Sequence, residues 1–381
     1  MRLEEDIIQE KKCKCSEFKI ILIVGSIILL VGIILLIVFL TINNNDTEND
    51  SNNPLVIDKY IDLHLHLDGA ITVNIAKQLA SIQNISLPYN DTELERLLTV
   101  PDDCDSLEEF LECFKLPLTL LQTKEGLSEA VRLVSDNIQS QGVIYAEIRF
   151  APQLHTDRGM TQEEAVQAAL DGIKKTTLKV NLILCYYRKE NNEADNNETL
   201  RIAKEYLVKD GGVVAVDLAG PESIFPITNY TVLFEETKKY GIPFTIHAGE
   251  ASGAESVKNT MKLEPQRIGH GTRSYEDPEI VELIKNKGIP LEMCPTSNRL
   301  THALREFNEY PFMDYLHKGI KVTLNSDDMA IERITLAHEH EYMKKYFGLT
   351  YEEEKTILIN SVNAAFTTPE VKAELRKKLG F

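Results

Sequence analysis

The stretch IDLHLHLDGA, residues 61–70, sets two histidines two positions apart. Read as a strand with alternating side chains, it puts Ile61, Leu63, Leu65 and Leu67 on one face and Asp62, His64, His66 and Asp68 on the other. Two imidazoles on one strand face can reach a single metal ion at ~2.0–2.1 Å. A lone His-x-His also fits a solvated strand face, but this strand is otherwise apolar and ends in Asp-Gly, a turn signal. His247 and Asp327 complete a candidate set of four. Three imidazoles and a carboxylate suit Zn2+ and leave an added position for water. Singly, His247 would fit a core histidine and Asp327 a turn residue of Asn-Ser-Asp-Asp. Zinc lowers the pKa of bound water toward ~7 and so supplies hydroxide at neutral pH. Such chemistry needs proton carriers, and Glu250 and His270 offer them. One can protonate a substrate while the other, or Asp327, takes a proton from water. Glu250 would equally fit a carboxylate at a helix start.

These residues lie far apart in the chain, so the fold must bring them together. Strand-like runs occur at 60–65, 143–150, 180–187, 213–218, 243–247, 267–270, 289–294 and 321–325. Helical stretches separate them, and Ser106–Glu109 and Thr350–Glu353 have capping-box spacing. Strands alternating with helices imply parallel βα units with right-handed crossovers, and eight such units close a TIM-type (β/α)8 barrel. A doubly wound open sheet is the alternative, but HLDGA stands where its Gly-rich phosphate loop would be. In the barrel, His64 and His66 end the first strand, Asp217 and Gly220 the fourth, and His247 and Glu250 the fifth. His270 ends the sixth, and Asp327 with Asp328 the eighth. All would face the carboxyl-terminal mouth, where barrel active sites lie. The fourth strand, VVAVDLAG, has no lysine to bridge a second metal, so one Zn2+ is expected.

Of 381 residues, 43% are hydrophobic, enough for a large core, and the formal net charge is −18. That charge argues against nucleic acid, anionic membrane faces and polyanionic substrates. Residues 20–42 carry no charged side chain and are long enough to cross a ~30 Å hydrocarbon core. Lys11, Lys12, Lys14 and Lys19 precede that run, and the next basic residue is Lys59. The expectation is a single-pass type II membrane protein: cytoplasmic tail 1–19, signal anchor 20–42, polar spacer 43–54, and an extracellular or lumenal domain 55–381. Glycosylation sequons at Asn45, Asn49, Asn84, Asn90, Asn197 and Asn229 agree with that topology.

HLHLDGA (64–70), YAEIRFAP (145–152), DLAGPE (217–222), HAGE (247–250), IGHG (268–271), CPTSN (294–298) and LNSDD (324–328) resemble, in order and spacing, the adenosine deaminase family. The similarity spans roughly residues 55–370. It implies a zinc-bearing barrel converting adenosine, and 2′-deoxyadenosine likewise, to inosine and ammonia. By motif, His64, His66, His247 and Asp327 resemble the zinc ligands, with His66 also among the substrate-binding residues. Glu250 resembles the residue that protonates purine N1, and His270 the base that orients or deprotonates the attacking water. Asp328 is similar to the partner of N7, the Gly220 backbone N–H to that of N3, and Asp68 to that of the ribose hydroxyls. Leu107, Phe110, Leu111 and Phe114 match an apolar lid over the base, although their helical spacing also suits core packing. A carboxylate at Asp68 would accept from ribose and repel a 5′-phosphate, favouring a nucleoside over AMP. The alternatives are a deaminase of AMP, adenine or an N6-modified purine, and a non-catalytic receptor-like ectodomain. Loss of a zinc ligand would mark the last of these, and none is lost.

Overall fold

The computed structural model describes residues 57–101, 104, 110, 112–304 and 306–381, and in it the His-x-His stretch forms the strand β1 (Tyr60–His66). Ile61 and Leu63 pack with Val362, Val371 and Leu375, while Asp62 and His64, on the opposite face, are also buried. Then come β2 (Val143–Phe150), β3 (Lys179–Tyr187) and β4 (Val213–Ala219), each parallel to its predecessor. A second run, β5 (His247–Ala248), β6 (Ile268–His270), β7 (Leu291–Met293) and β8 (Val322–Leu324), repeats the arrangement. Parallel neighbours require helical crossovers, and their two covered faces explain apolar runs such as VVAVDLA, buried throughout.

Two isolated pairings join the runs: Val216 with Phe244, and Leu65 with Asp327. At the second, His66 N donates to Asp327 O at 2.9 Å and Asp327 N donates to His64 O at 2.8 Å. Parallel strands in sequential order, joined at both seams, are consistent with a TIM-type barrel and not with a doubly wound sheet. β5 is shorter than the expected 243–247. Pro243 has no N–H for the ladder, and pairing there rests on Val216 N to Pro243 O at 3.0 Å and Thr245 N to Val216 O at 3.1 Å. The capping box at Thr350 and Glu353 is present at the helix Tyr351–Ala364, whereas Ser106–Glu109 falls outside the described residues.

The membrane expectation needs correction. Among the described residues no helix is long and apolar enough to cross a membrane. Even the 17-residue helix Lys124–Ser140 is amphipathic, burying Leu127, Val131 and Val134 while carrying Lys124, Glu125 and Arg132. That is a helix laid on a sheet, and a span needs ~20 apolar residues. The segments 1–19, 20–42 and 43–54 lie outside the described residues, which all fall in the unit Val56–Phe381. The type II placement, the membrane partnership and the glycosylated exterior domain are withdrawn with it.

Candidate active site

β1 delivers the rings of His64 and His66, β5 opens on His247, and the turn after β8 delivers Asp327. Nε2 of His247 lies 3.1 Å from Nε2 of His64 and 3.2 Å from that of His66. Asp327 Oδ1 lies 3.3 Å from His64 Nε2 and 3.5 Å from His66 Nε2. Four donors at ~2.0–2.1 Å from one ion at tetrahedral corners stand ~3.3–3.4 Å apart, close to these four separations, so the cluster could hold one Zn2+. A ring nitrogen of His270 also lies within 4.8 Å of the donors of His64, His247 and Asp327. Asp327 adopts φ 54° and His270 φ 59°, left-handed conformations that are rare outside glycine and collect at functional sites.

Buried carboxylates stand behind the histidines. His64 Nδ1 meets Glu292 of β7 at 2.7 Å, and His247 Nδ1 lies 2.9 Å from Asp217 of β4. The His64 contact is a hydrogen bond and fixes which ring nitrogen turns to a metal, whereas the His247 contact is close without hydrogen-bond geometry. Arg149, fully buried, pairs with Asp217 at 2.6 Å and Glu292 at 2.9 Å. Arg267 spans Glu292 and Glu147 at 2.5 and 2.6 Å. Burial pushes the Glu292 carboxyl up, but Arg267 and Arg149 outweigh it and hold the group well below its ordinary range. At Asp217, burial is likewise outweighed, by His247 and Arg149.

Glu250 and His270 stand beside the quartet. His270 Nε2 is 3.5 Å from the Glu250 carboxylate and 3.8 Å from Asp327 Oδ2. Its Nδ1 meets the Asn298 amide at 3.1 Å, and the Thr272 and Tyr310 hydroxyls donate to Asn298 Oδ1. Burial, reinforced by Asp327 and Glu222 and opposed by His270, raises the Glu250 carboxyl above its ordinary range. Burial, together with Asp327, Asp68 and Glu250, pushes Asp328 well up. Burial raises Asp68 to about 6. Oδ1 of Asp68 and Oδ1 of Asp328 are buried without a hydrogen-bond partner, as expected of groups that await a ligand.

A cavity of about 300 Å³ gathers His66, Asp68, Gly220, Glu250, Asp328, Phe110 and Phe114 on its walls. Its size is at the lower end of small-molecule sites. Gly220 has φ 101°, and a Cβ there would sit 3.2 Å from Arg188 and Tyr187, so a side chain at this position would be both strained and crowded. Gly69 admits Asp328: a Cβ would stand 1.9 Å from its Oδ1. The Phe110 and Phe114 rings are 6.0 Å apart, whereas Leu107 and Leu111 lie outside the described residues.

Sequence reasoning missed Glu292, Arg149, Arg267 and Asn298, and gave Asp217 no task. Glu147 and Arg149 in the apolar run VIYAEIRF were the available signal, because charges inside a buried strand need partners. Glu332 was also missed. Both its carboxylate oxygens are buried without partners, in a cluster with Asp327 and Asp328.

Residues 60–380 match the family model described as adenosine deaminase. An adenosine deaminase of Haemophilus ducreyi is 44% identical over 322 residues, covering 83% of this chain and 94% of the relative. Among solved structures, an adenine deaminase from Arthrobacter aurescens is similar with a TM-score of 0.74 at 26% identity, covering 85% of this chain and 98% of the other. An amidohydrolase of Burkholderia ambifaria with bound Zn shares the fold, with a TM-score of 0.74 at 19% identity over 84% of this chain and 89% of that one.

Proposed function

The chain belongs to the adenosine deaminase family, and from that premise we propose that it hydrolyses adenosine, and 2′-deoxyadenosine likewise, to the 6-oxo nucleoside and ammonia. The observation that supports this most is the donor quartet, four of whose separations are 3.1–3.5 Å, opening on the cavity that Glu250 also lines. His64, His66, His247 and Asp327 would hold the zinc, which when bound would supply Lewis acidity and lower the pKa of water toward ~7.

The chain's own groups do the rest. The raised pKa of Glu250 favours its protonated form, which can donate to purine N1 and make C6 electrophilic. His270, beside Glu250 and Asp327, orients the attacking water or takes its proton. Water adds at C6 as one of its protons passes to His270, and that proton reaches the amino nitrogen as the C6–N bond breaks, so that ammonia leaves. The proton of the C6 hydroxyl returns to Glu250 to give the 6-oxo product. Asp328, also favoured in its protonated form, donates to N7. The Gly220 N–H donates to N3, and Asp68 accepts from the ribose hydroxyls. Phe110 and Phe114 cover the base and exclude water.

Asp68 separates this reading from adenine or AMP as substrate. It is buried on the cavity wall, where ribose satisfies its orphaned oxygen and a phosphate would meet like charge. Ammonia release by the purified full chain from adenosine, 2′-deoxyadenosine, AMP and adenine tests the assignment. Rapid release from the two nucleosides alone is expected. Turnover confined to AMP or adenine would overturn the substrate, and no turnover of any of the four would overturn the assignment.

A further inference from the structure

Glu222 lies two residues beyond Gly220, in the loop after β4, and is 2% exposed. Its carboxylate accepts from four successive backbone N–H groups of the neighbouring loop. Gly249 N donates to Oε1 at 2.8 Å, and Glu250, Ala251 and Ser252 N donate to Oε2 at 3.1, 2.9 and 2.9 Å. The Ser256 hydroxyl adds a fifth donor. Consecutive N–H groups wrapped around one anion form a nest, and charge-assisted bonds of this kind are roughly twice as strong as neutral ones. The carboxylate does not cap the following helix, Ala254–Met261. That helix starts at Gly253 without a side-chain cap, and Ala254 N turns to Glu276 at 3.3 Å. What Glu222 grips is the irregular segment that carries Glu250.

We propose that Glu222 is a positioning residue for the reaction: by tying the loop of Gly220 to the loop of Glu250, it sets the spacing between the groups that hold purine N3 and N1. The inference rests on the function proposed above. Arg188 supports the same seam from below, its guanidinium donating to Leu218 O at 3.1 Å and His247 O at 2.8 Å. With Glu222 in place, Glu250 stands ready for N1 before substrate arrives. Without its charge, the Gly249 N–H, which is buried, and those of Glu250, Ala251 and Ser252, which are partly buried, would need other partners and the segment would shift. A displacement of ~1 Å costs about 10²-fold in rate.

The test is Glu222→Gln in the full chain. An amide keeps one acceptor but turns an NH2 toward N–H donors. Amide exchange at residues 249–252 should be slow in the wild type and faster in Glu222→Gln. Unchanged exchange overturns the proposal whatever the substrate proves to be. On adenosine, kcat should fall about 10²-fold with KM within a few-fold and zinc content unchanged. The double variant Glu222→Gln/Glu250→Gln should be no slower than Glu250→Gln, because Glu222 acts through Glu250. A folded Glu222→Gln with wild-type kcat, or losses that multiply in the double variant, would overturn the proposal. Should the Gln variant fail to fold, Glu222→Asp keeps both oxygens one methylene short. It should lose roughly 10-fold in kcat with the same non-additivity, and wild-type kcat would overturn the proposal. A wild-type protein inactive on every purine would refute the function and leave the exchange measurement to decide the role of Glu222.

Discussion

Nδ1 of His64 meets the Glu292 carboxylate at 2.7 Å, with both side chains fully buried, and this turns the opposite ring nitrogen into the donor quartet. Glu292→Gln should therefore weaken zinc binding about 10–100-fold, as read by competition with a chromophoric chelator. Arg149 and Arg267 share the same carboxylate, so unfolding stability should also drop by roughly 3–5 kcal/mol. Zinc affinity unchanged in a folded variant would show that the contact does not orient the ring.

Glu250→Gln removes the proposed proton donor while keeping the size of the side chain. It should fold and retain zinc, yet lose about 10²–10⁴-fold in kcat on adenosine. Normal turnover by this variant would sink the role given to Glu250.

Asp68→Ala should separate nucleoside from base. Losing hydrogen bonds to a charged acceptor costs about 1.5–3 kcal/mol each, so kcat/KM on adenosine should fall roughly 10–100-fold or more. Any turnover of adenine should barely change. Equal losses on both substrates would place Asp68 in the chemistry instead of the ribose site.

His155 offers a pH signature away from the metal donors. It is fully buried, its Nδ1 donates to Leu121 O at 3.2 Å, and burial lowers its pKa to about 4. The folded value lies below the unfolded ~6.5, so the fold favours the neutral ring. The contribution is complete above about pH 6.5 and is lost as pH falls toward 4, amounting to about 3 kcal/mol in all. Between about pH 7 and pH 5, urea-unfolding stability should drop about 2 kcal/mol more in the wild type than in His155→Gln. Equal drops would contradict the account.

The strands were legible where burial on both faces wrote continuous apolar runs, and His64 and His66 were legible because they interrupt one at period two. β5 was harder, because Pro243 interrupts its ladder. The partners behind the metal donors were not legible. Glu292 is 228 residues from His64, and no local periodicity encodes so distant a pairing. The left-handed backbones of His270 and Asp327 were equally hidden, since neither residue type announces φ > 0 as glycine does. The run 20–42 satisfied a criterion of length and apolarity, and the lysines before it set the orientation. The placement drawn from it gained no support, as no helix among the described residues could cross a membrane.

The most direct test returns zinc stepwise to chelator-stripped full-length protein while adenosine turnover is followed. If the quartet of His64, His66, His247 and Asp327 holds the one essential ion, activity is lost on stripping. It then recovers in proportion to added zinc and levels off at about one ion per chain. Turnover that survives removal of the metal, or that recovers only beyond a second ion, would contradict the single zinc centre.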